Sequence, residues 1–173
     1  LHLVVDTLRQ PDVTLSDGLA DLKYRVGQRC SDARPLFHWR IDLDSAPQLP
    51  SRSVLHVLRI IQEAINNAVK HADAQHIRIS AVHDRRTGEL VVRVVDDGTG
   101  FSDTARKGRG LLNMQNRARE IGGTLEIRKL DQGTEVVLVR ADRDETLAEA
   151  FALIGQLPDG GREDAPPQQR QGQ

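Results

Sequence analysis

Between Ser53 and Ala72 the apolar residues Val54, Val57, Leu58, Ile61, Ala64, Ile65, Ala68 and Val69 recur at intervals of three and four. Wound at about 100° per residue they form one broad arc, the pattern of a helix packed along one side. The opposite arc carries Glu63, Asn66, Asn67 and Lys70. Pro47 and Pro50 place a loop ahead of this helix, and Ser51 or Ser53 supplies the expected N-cap. Nearer the start, Leu1, Val4, Val5 and Leu8 share a face of a helix that Pro11 stops. A second helix, capped by Ser16 or Asp17, turns Leu19, Leu22 and Val26 inward with the stem of Arg29 beside them, and fades at Ser31-Asp32 before Pro35.

Elsewhere the period is two. Phe37, Trp39, Ile41 and Leu43 alternate with His38, Arg40 and Asp42, which predicts a half-buried strand and makes Trp39 a packing residue. Ile77 to Val82 and Leu90 to Val95 alternate likewise and are joined by a turn-rich connection from Asp84 to Gly88. A helix from Leu111 ends in a glycine C-cap at Gly122-Gly123. Leu125 to Lys129 and Glu135 to Arg140 make a last hairpin about Gln132-Gly133-Thr134. Beyond Arg140, Asp144 caps a short amphipathic helix with Leu147, Phe151 and Ile154, expected over 142–156. Residues 157–173 are Gly, Pro, Gln and charge, a composition expected to stay disordered.

Composition narrows the classes of function. A chain of 173 residues supports one globular domain, expected over 11–141, with short appendages. The formal charge of -1 gives no long-range field toward nucleic acid or an anionic membrane, so neither is an expected partner. Cys30 is the single cysteine, which excludes an internal disulfide or a zinc site of several thiolates and fits a reducing, cytoplasmic setting. No apolar run reaches membrane-spanning length, and Leu1 to Asp6 lacks the basic flank of a signal peptide. A start inside an apolar pattern, without an initiator Met, leads us to expect a piece of a longer protein.

Candidate chemistry begins on the long helix. Glu63 and Asn67, four residues apart, project side by side from its polar face, and Lys70 lies a turn further on. A carboxylate and an amide carbonyl are hard oxygen donors suited to magnesium, which also takes oxygens from a substrate's phosphates, and Lys70 and His71 are placed to meet such phosphates. By itself the helix reads more readily as a solvated face with a Glu-to-Lys pair. Asp96-Asp97-Gly98-Thr99-Gly100 comes directly after a buried strand. A carboxylate there can accept a hydrogen bond from an exocyclic amine, and glycine lets backbone pass close to a planar base, although Asp-Gly is also an ordinary turn. Gly108-Arg109-Gly110 ahead of a helix has the exposed N–H groups that cradle phosphate, with Lys107 and Arg109 adding charge; a flexible loop and a cap explain it equally. A hairpin turn suffices for Gly133-Thr134. Gly98, Gly100 and the residues after them do not supply the G-x-G-x-x-G fingerprint of a dinucleotide fold.

In order, Glu63-(x3)-Asn67-Ala68, Asp96-x-Gly98-x-Gly100, Gly108-x-Gly110-Leu111 and Gly133-Thr134 resemble the GHKL ATPase superfamily across most of Leu15 to Arg140. Gln62 to Ala72, Gly110 to Met114 and Arg117-Ala118 further resemble the catalytic domains of sensor histidine kinases, in the subgroup often paired with helix-turn-helix response regulators. The resemblance implies an α+β, two-layer α/β sandwich of the Bergerat type: a mixed sheet with helices on one face and ATP held between the helices and a mobile lid. It implies that Asn67 ligates magnesium, Asp96 takes the adenine amino group, Gly98 and Gly100 admit the base, Gly108 to Leu111 close over the phosphates, and Thr134 supports the adenine. Glu63 would orient metal and water, and Phe101 to Lys107 would be a short lid. ATP and ADP, a response regulator and the dimerisation and phosphoacceptor domain of a homodimeric kinase are the implied partners. His2 lacks the acidic neighbour of a phosphoacceptor. Residues 1–10 therefore look like the end of a dimerisation helix, with the acceptor expected on a segment this chain lacks. A serine-directed anti-sigma kinase and a nucleotide-gated interaction module without turnover are the competing readings.

Overall fold

The computed structural model describes residues 13–29, 35–44, 46–100 and 109–141. The expected helix at Leu1 to Arg9, Cys30, Lys107, Gly108 and everything after 141 lie outside them.

Helix α1 (Leu15–Arg29) starts at Thr14, whose carbonyl accepts the first helical N–H, from Gly18, at 3.1 Å. The Thr14 hydroxyl accepts the Asp17 N–H at 3.2 Å, while the Asp17 carboxylate reaches back to the Thr14 N–H at 3.4 Å. This reciprocal box makes Thr14 the cap, not Ser16 or Asp17. Strand β1 (Leu36–Asp42) comes next, and helix α2 (Ser51–His71) returns across the sheet to β2 (His76–Asp84), so β1 and β2 pair in parallel. Pro50 occupies the N-cap of α2 and no side chain caps it, which corrects the serine expectation: both serines already lie inside the helix. Strand β3 (Glu89–Asp96) forms the hairpin with β2, closed by Gly88 donating to Asp84 at 2.7 Å. Helix α3 (Arg109–Glu120), β4 (Gly123–Lys129) and β5 (Thr134–Ala141) complete the domain. Strand β5 slots antiparallel between β3 and β4, giving the order β1-β2-β3-β5-β4.

One sheet face is apolar and covered. Ile77 and Ile79 of β2, Val92 and Val94 of β3, and Val136 and Leu138 of β5 are buried against Val57, Ile61, Ala64 and Ala68 of α2 in one continuous core. Each buried Val, Leu or Ile side chain contributes about 1.5–3 kcal/mol by leaving water. The opposite face carries His38, Arg78 and Arg93. Helices on one face of a mixed sheet make this an α+β sandwich, as expected.

Departures from the periodicity occur where an element reaches an edge. Val69 was expected in the buried arc of α2 but is 43% exposed, because it turns away from the sheet into a surface groove shared with Val26 of α1 and Phe37 of β1. Ile41 was expected inward and is exposed at the end of edge strand β1, leaving Phe37, Trp39 and Leu43 to pack. Ile60 and His56 are buried although neither belongs to the arc, because α3 covers a second flank of α2.

Candidate functional site

Helix α2 carries alanine at 64, 68 and 72, each four residues after the last, along the stripe facing β3 and β5. A larger aliphatic at any of these positions would fill the gap between helix and sheet; alanine leaves a cavity of about 260 Å³. Asn67 and His71 stand at its helix side, Val94, Asp96, Thr134 and Val136 form its sheet side, and Thr99 and Gly100 border it. Pockets that enclose a whole drug-sized ligand run to about 300–1,000 Å³, so this one suits a planar base with the rest of a larger ligand left outside.

The sheet side of the cavity is polar at one place. Asp96 is 7% exposed, and its carboxylate accepts the Gly98 N–H at 3.0 Å. Burial pushes its pKa above the ordinary carboxylate range, partly offset by the backbone N–H groups of Gly98 and Thr134 and reinforced by the neighbouring charge of Asp97. Thr134 is its register partner on β5 and is buried. Asp97 faces away: its carboxylate accepts the N–H groups of Gln75 and His76, both at 2.8 Å, and those bonds depress its pKa. Two adjacent carboxylates thus divide, one aimed into the cavity and one pinning the start of β2.

Glycine is required twice here. A Cβ on Gly98 would collide with the Ala72 carbonyl, since the loop crosses the end of α2 closely enough for Thr99 to donate to that oxygen at 2.7 Å. Gly133 has φ +90 and would drive a Cβ into the Asp96 carbonyl.

The remaining expected residues divide. Asn67, His71, Asp96, Gly100 and Thr134 meet at the cavity, and Gly98 shapes its rim. Glu63 does not line it; its carboxylate lies against Gly110 in the first turn of α3, where the positive end of the helix dipole favours an anion. Leu111 packs on the core, and Arg109 is exposed. Lys70 is exposed and does not line the cavity, because a residue three along from Asn67 turns further from the sheet than His71, four along. The alanine stripe, Val94, Val136, Thr99 and the anchor Asp97 escaped the reading from sequence. The fourfold spacing of the alanines was its one visible sign. A second cavity, of about 320 Å³ between Leu15, Leu43, Leu49 and Leu90, contains none of the expected residues.

Comparison with known proteins converges on the same region. Residues 53–145 match the family described as histidine kinase-, DNA gyrase B-, and HSP90-like ATPase. The nitrate/nitrite sensor protein NarX of Escherichia coli K12 is 31% identical over 106 residues, 59% of this chain. Because that match covers 17% of NarX, the chain spans a small part of its relative's length. Among solved structures, the histidine kinase domain of the Erythrobacter litoralis EL346 blue-light activated histidine kinase superposes with a TM-score of 0.60 at 18% identity, covering 74% of this chain and 65% of that one. The ATP binding domain of PrrB from Mycobacterium tuberculosis gives 0.55 at 22% identity, covering 76% and 96%.

Proposed function

Because the chain belongs to the histidine kinase-, DNA gyrase B-, and HSP90-like ATPase family, we propose that it is the ATP-binding catalytic domain of a sensor histidine kinase, passing the γ-phosphate of ATP to a His on the dimerisation domain for relay to a response regulator. The observation that carries this reading is Asp96: a buried, backbone-anchored carboxylate on the sheet side of a small cavity whose walls Ala64, Ala68, Val94 and Val136 make largely apolar. A purine amino group offers the donor that such an acceptor lacks, and Val94, Val136 and the alanine stripe offer the flat apolar walls a base needs. Thr134, beside Asp96, holds the same edge of the base. Gly98 and Gly100 keep side chains out of its plane.

At the cavity's helix side, Asn67 presents an amide oxygen and His71 an imidazole. These groups fit the charged end of a nucleotide. Asn67 would hold magnesium through its carbonyl oxygen, and magnesium supplies neutralisation of phosphate charge when bound. Glu63, beside the N-terminus of α3, orients water around that station, and Arg109 and Gly110 open α3 toward the phosphates. Lys70, Lys107, Gly108 and Leu111 complete the proposed nucleotide-binding set. Catalysis by such a domain is mainly positioning and charge stabilisation, because the nucleophile comes from another segment. The reaction belongs in the cytoplasm, where ATP is found, and no helix among the described residues is long and apolar enough to cross a membrane.

The test is transfer in trans: the chain is mixed with γ-labelled ATP, magnesium and a separately produced dimerisation segment bearing the acceptor His. Acid-labile, base-stable label on that segment, lost when Asn67 is changed to Asp, supports the reading. Tight nucleotide binding with no transfer would instead make the domain a nucleotide-gated interaction module.

A further inference from the structure

The parallel pairing of β1 with β2 puts Leu36 opposite His76 and His38 opposite Arg78, so His38 and His76 are diagonal neighbours on the sheet face that the helices leave open. Their rings meet: His38 Nε2 lies 3.1 Å from His76 Nδ1, with centroids 5.4 Å apart and planes tilted by 32°. His38 is exposed and His76 half-buried, and neither takes part in the cavity. We propose that His38 and His76 form a two-imidazole binding site for a divalent transition-metal ion such as Zn²⁺.

The spacing is that of a chelate. Two imidazole nitrogens at about 2.0–2.1 Å from one metal ion, subtending about 95–100°, are about 3.1 Å apart, so the ion replaces the hydrogen bond without moving either strand. Binding requires a lone pair on both facing nitrogens. The ring that donates the present hydrogen bond therefore carries its proton on the far nitrogen instead. Imidazole pairs select borderline ions over magnesium, which prefers oxygen, so the site is chemically distinct from the proposed nucleotide station.

Charge around the pair acts both ways. The Asp97 carboxylate, fixed by the N–H groups of Gln75 and His76, acts electrostatically on His76 and favours a cation. Arg78, beside His38 across the strands, and Arg40 on β1 oppose one, but both are exposed and free to turn into solvent. Among the described residues no third His, Cys, Asp or Glu closes the group, so water fills the remaining positions. The site is therefore open and exchangeable rather than structural.

The experiment is calorimetric titration of the full nucleotide-free chain with Zn²⁺, repeated with Co²⁺ while recording visible absorption, for wild type, His38→Ala, His76→Ala and the control His71→Ala. The expected result is a wild-type site that either of the first two substitutions weakens about tenfold or more, and that His71→Ala leaves intact. Substoichiometric Co²⁺ should shift the imidazole proton resonances of both rings together. Unchanged melting temperatures would show that the substitutions leave the fold alone. Zn²⁺ binding of wild-type strength in His38→Ala, or no binding by wild type, would overturn the proposal.

Discussion

Asp96 and Asp97 are the same residue type one position apart, and the strand's twofold alternation sends them to opposite faces with opposite consequences. Burial raises the Asp96 pKa, so keeping that carboxylate charged costs stability once the pH exceeds the unfolded value, and the cost is complete above the raised folded value. Asp96→Asn should therefore melt no lower than wild type while losing about tenfold or more in ADP affinity, since a hydrogen bond to a charged group is worth about 1.5–3 kcal/mol. Thermal melts read beside ADP titrations check both halves. Wild-type affinity should also decline as the pH falls through the raised Asp96 pKa, with no matching decline in the Asn variant. Asp97 has the opposite sign. Its pKa is depressed by the two N–H groups it accepts, so its stabilisation is present above the unfolded value and disappears as the pH falls through the folded one. Asp97→Ala should cost about 1 kcal/mol by urea denaturation at neutral pH, with nucleotide affinity affected far less than by Asp96→Asn. From the sequence the motif suggested a carboxylate at a strand end. The family resemblance named Asp96 of the two neighbours, whereas the anchoring role of Asp97 depended on where β2 begins, which no local pattern encodes.

At the scale of elements, α2 serves the core and the cavity with adjacent stripes. Ala68→Leu tests the second stripe. A leucine there has the cavity of about 260 Å³ to enter, so the domain should keep its melting temperature while nucleotide affinity falls about tenfold or more; a loss of about 1–3 kcal/mol in stability would mean the space is already filled. The flank of α2 toward α3 carries His56, 8% exposed, with Nε2 3.0 Å from Glu120 and no partner for Nδ1 among the described residues. Burial lowers its pKa below 6.5, outweighing the pull of Glu120, while Arg117, Arg52 and Arg59 lower it further. The unfolded chain then takes up the proton first, so stability should fall as the pH drops through about 6.5. His56→Leu should flatten that slope between denaturation curves at neutral and mildly acidic pH. Such a histidine lay outside any apolar arc drawn for one helix, because the partner that buries it comes from a distant part of the chain. The caps show the same limit. Thr14-x-x-Asp17 is legible as a box once Thr14 is known to leave helical geometry, yet composition alone favoured Ser16 or Asp17 as the cap. At α2, Pro50 simply ends the loop.

At the scale of the whole molecule, the strands and the long helices were legible in periodicity, and the order of the motifs pointed to a family and hence to a topology. Pattern alone left open the parallel β1–β2 pair, and with it the meeting of His38 with His76, because pairing between segments separated by a helix leaves no local trace. The insertion of β5 between β3 and β4 matters most for function. It sets Thr134 opposite Asp96 and brings Gly133 under the same strand end, so the base site is assembled from distant parts of the chain that pack against α2. Calorimetric titration of the chain with ADP, with and without magnesium and for wild type beside Asp96→Asn, tests that assembly most directly. Saturable wild-type binding, strengthened by magnesium and weakened in the variant, is the predicted result. Equal binding by the two proteins, or none by wild type, would contradict the assignment of Asp96 to the base.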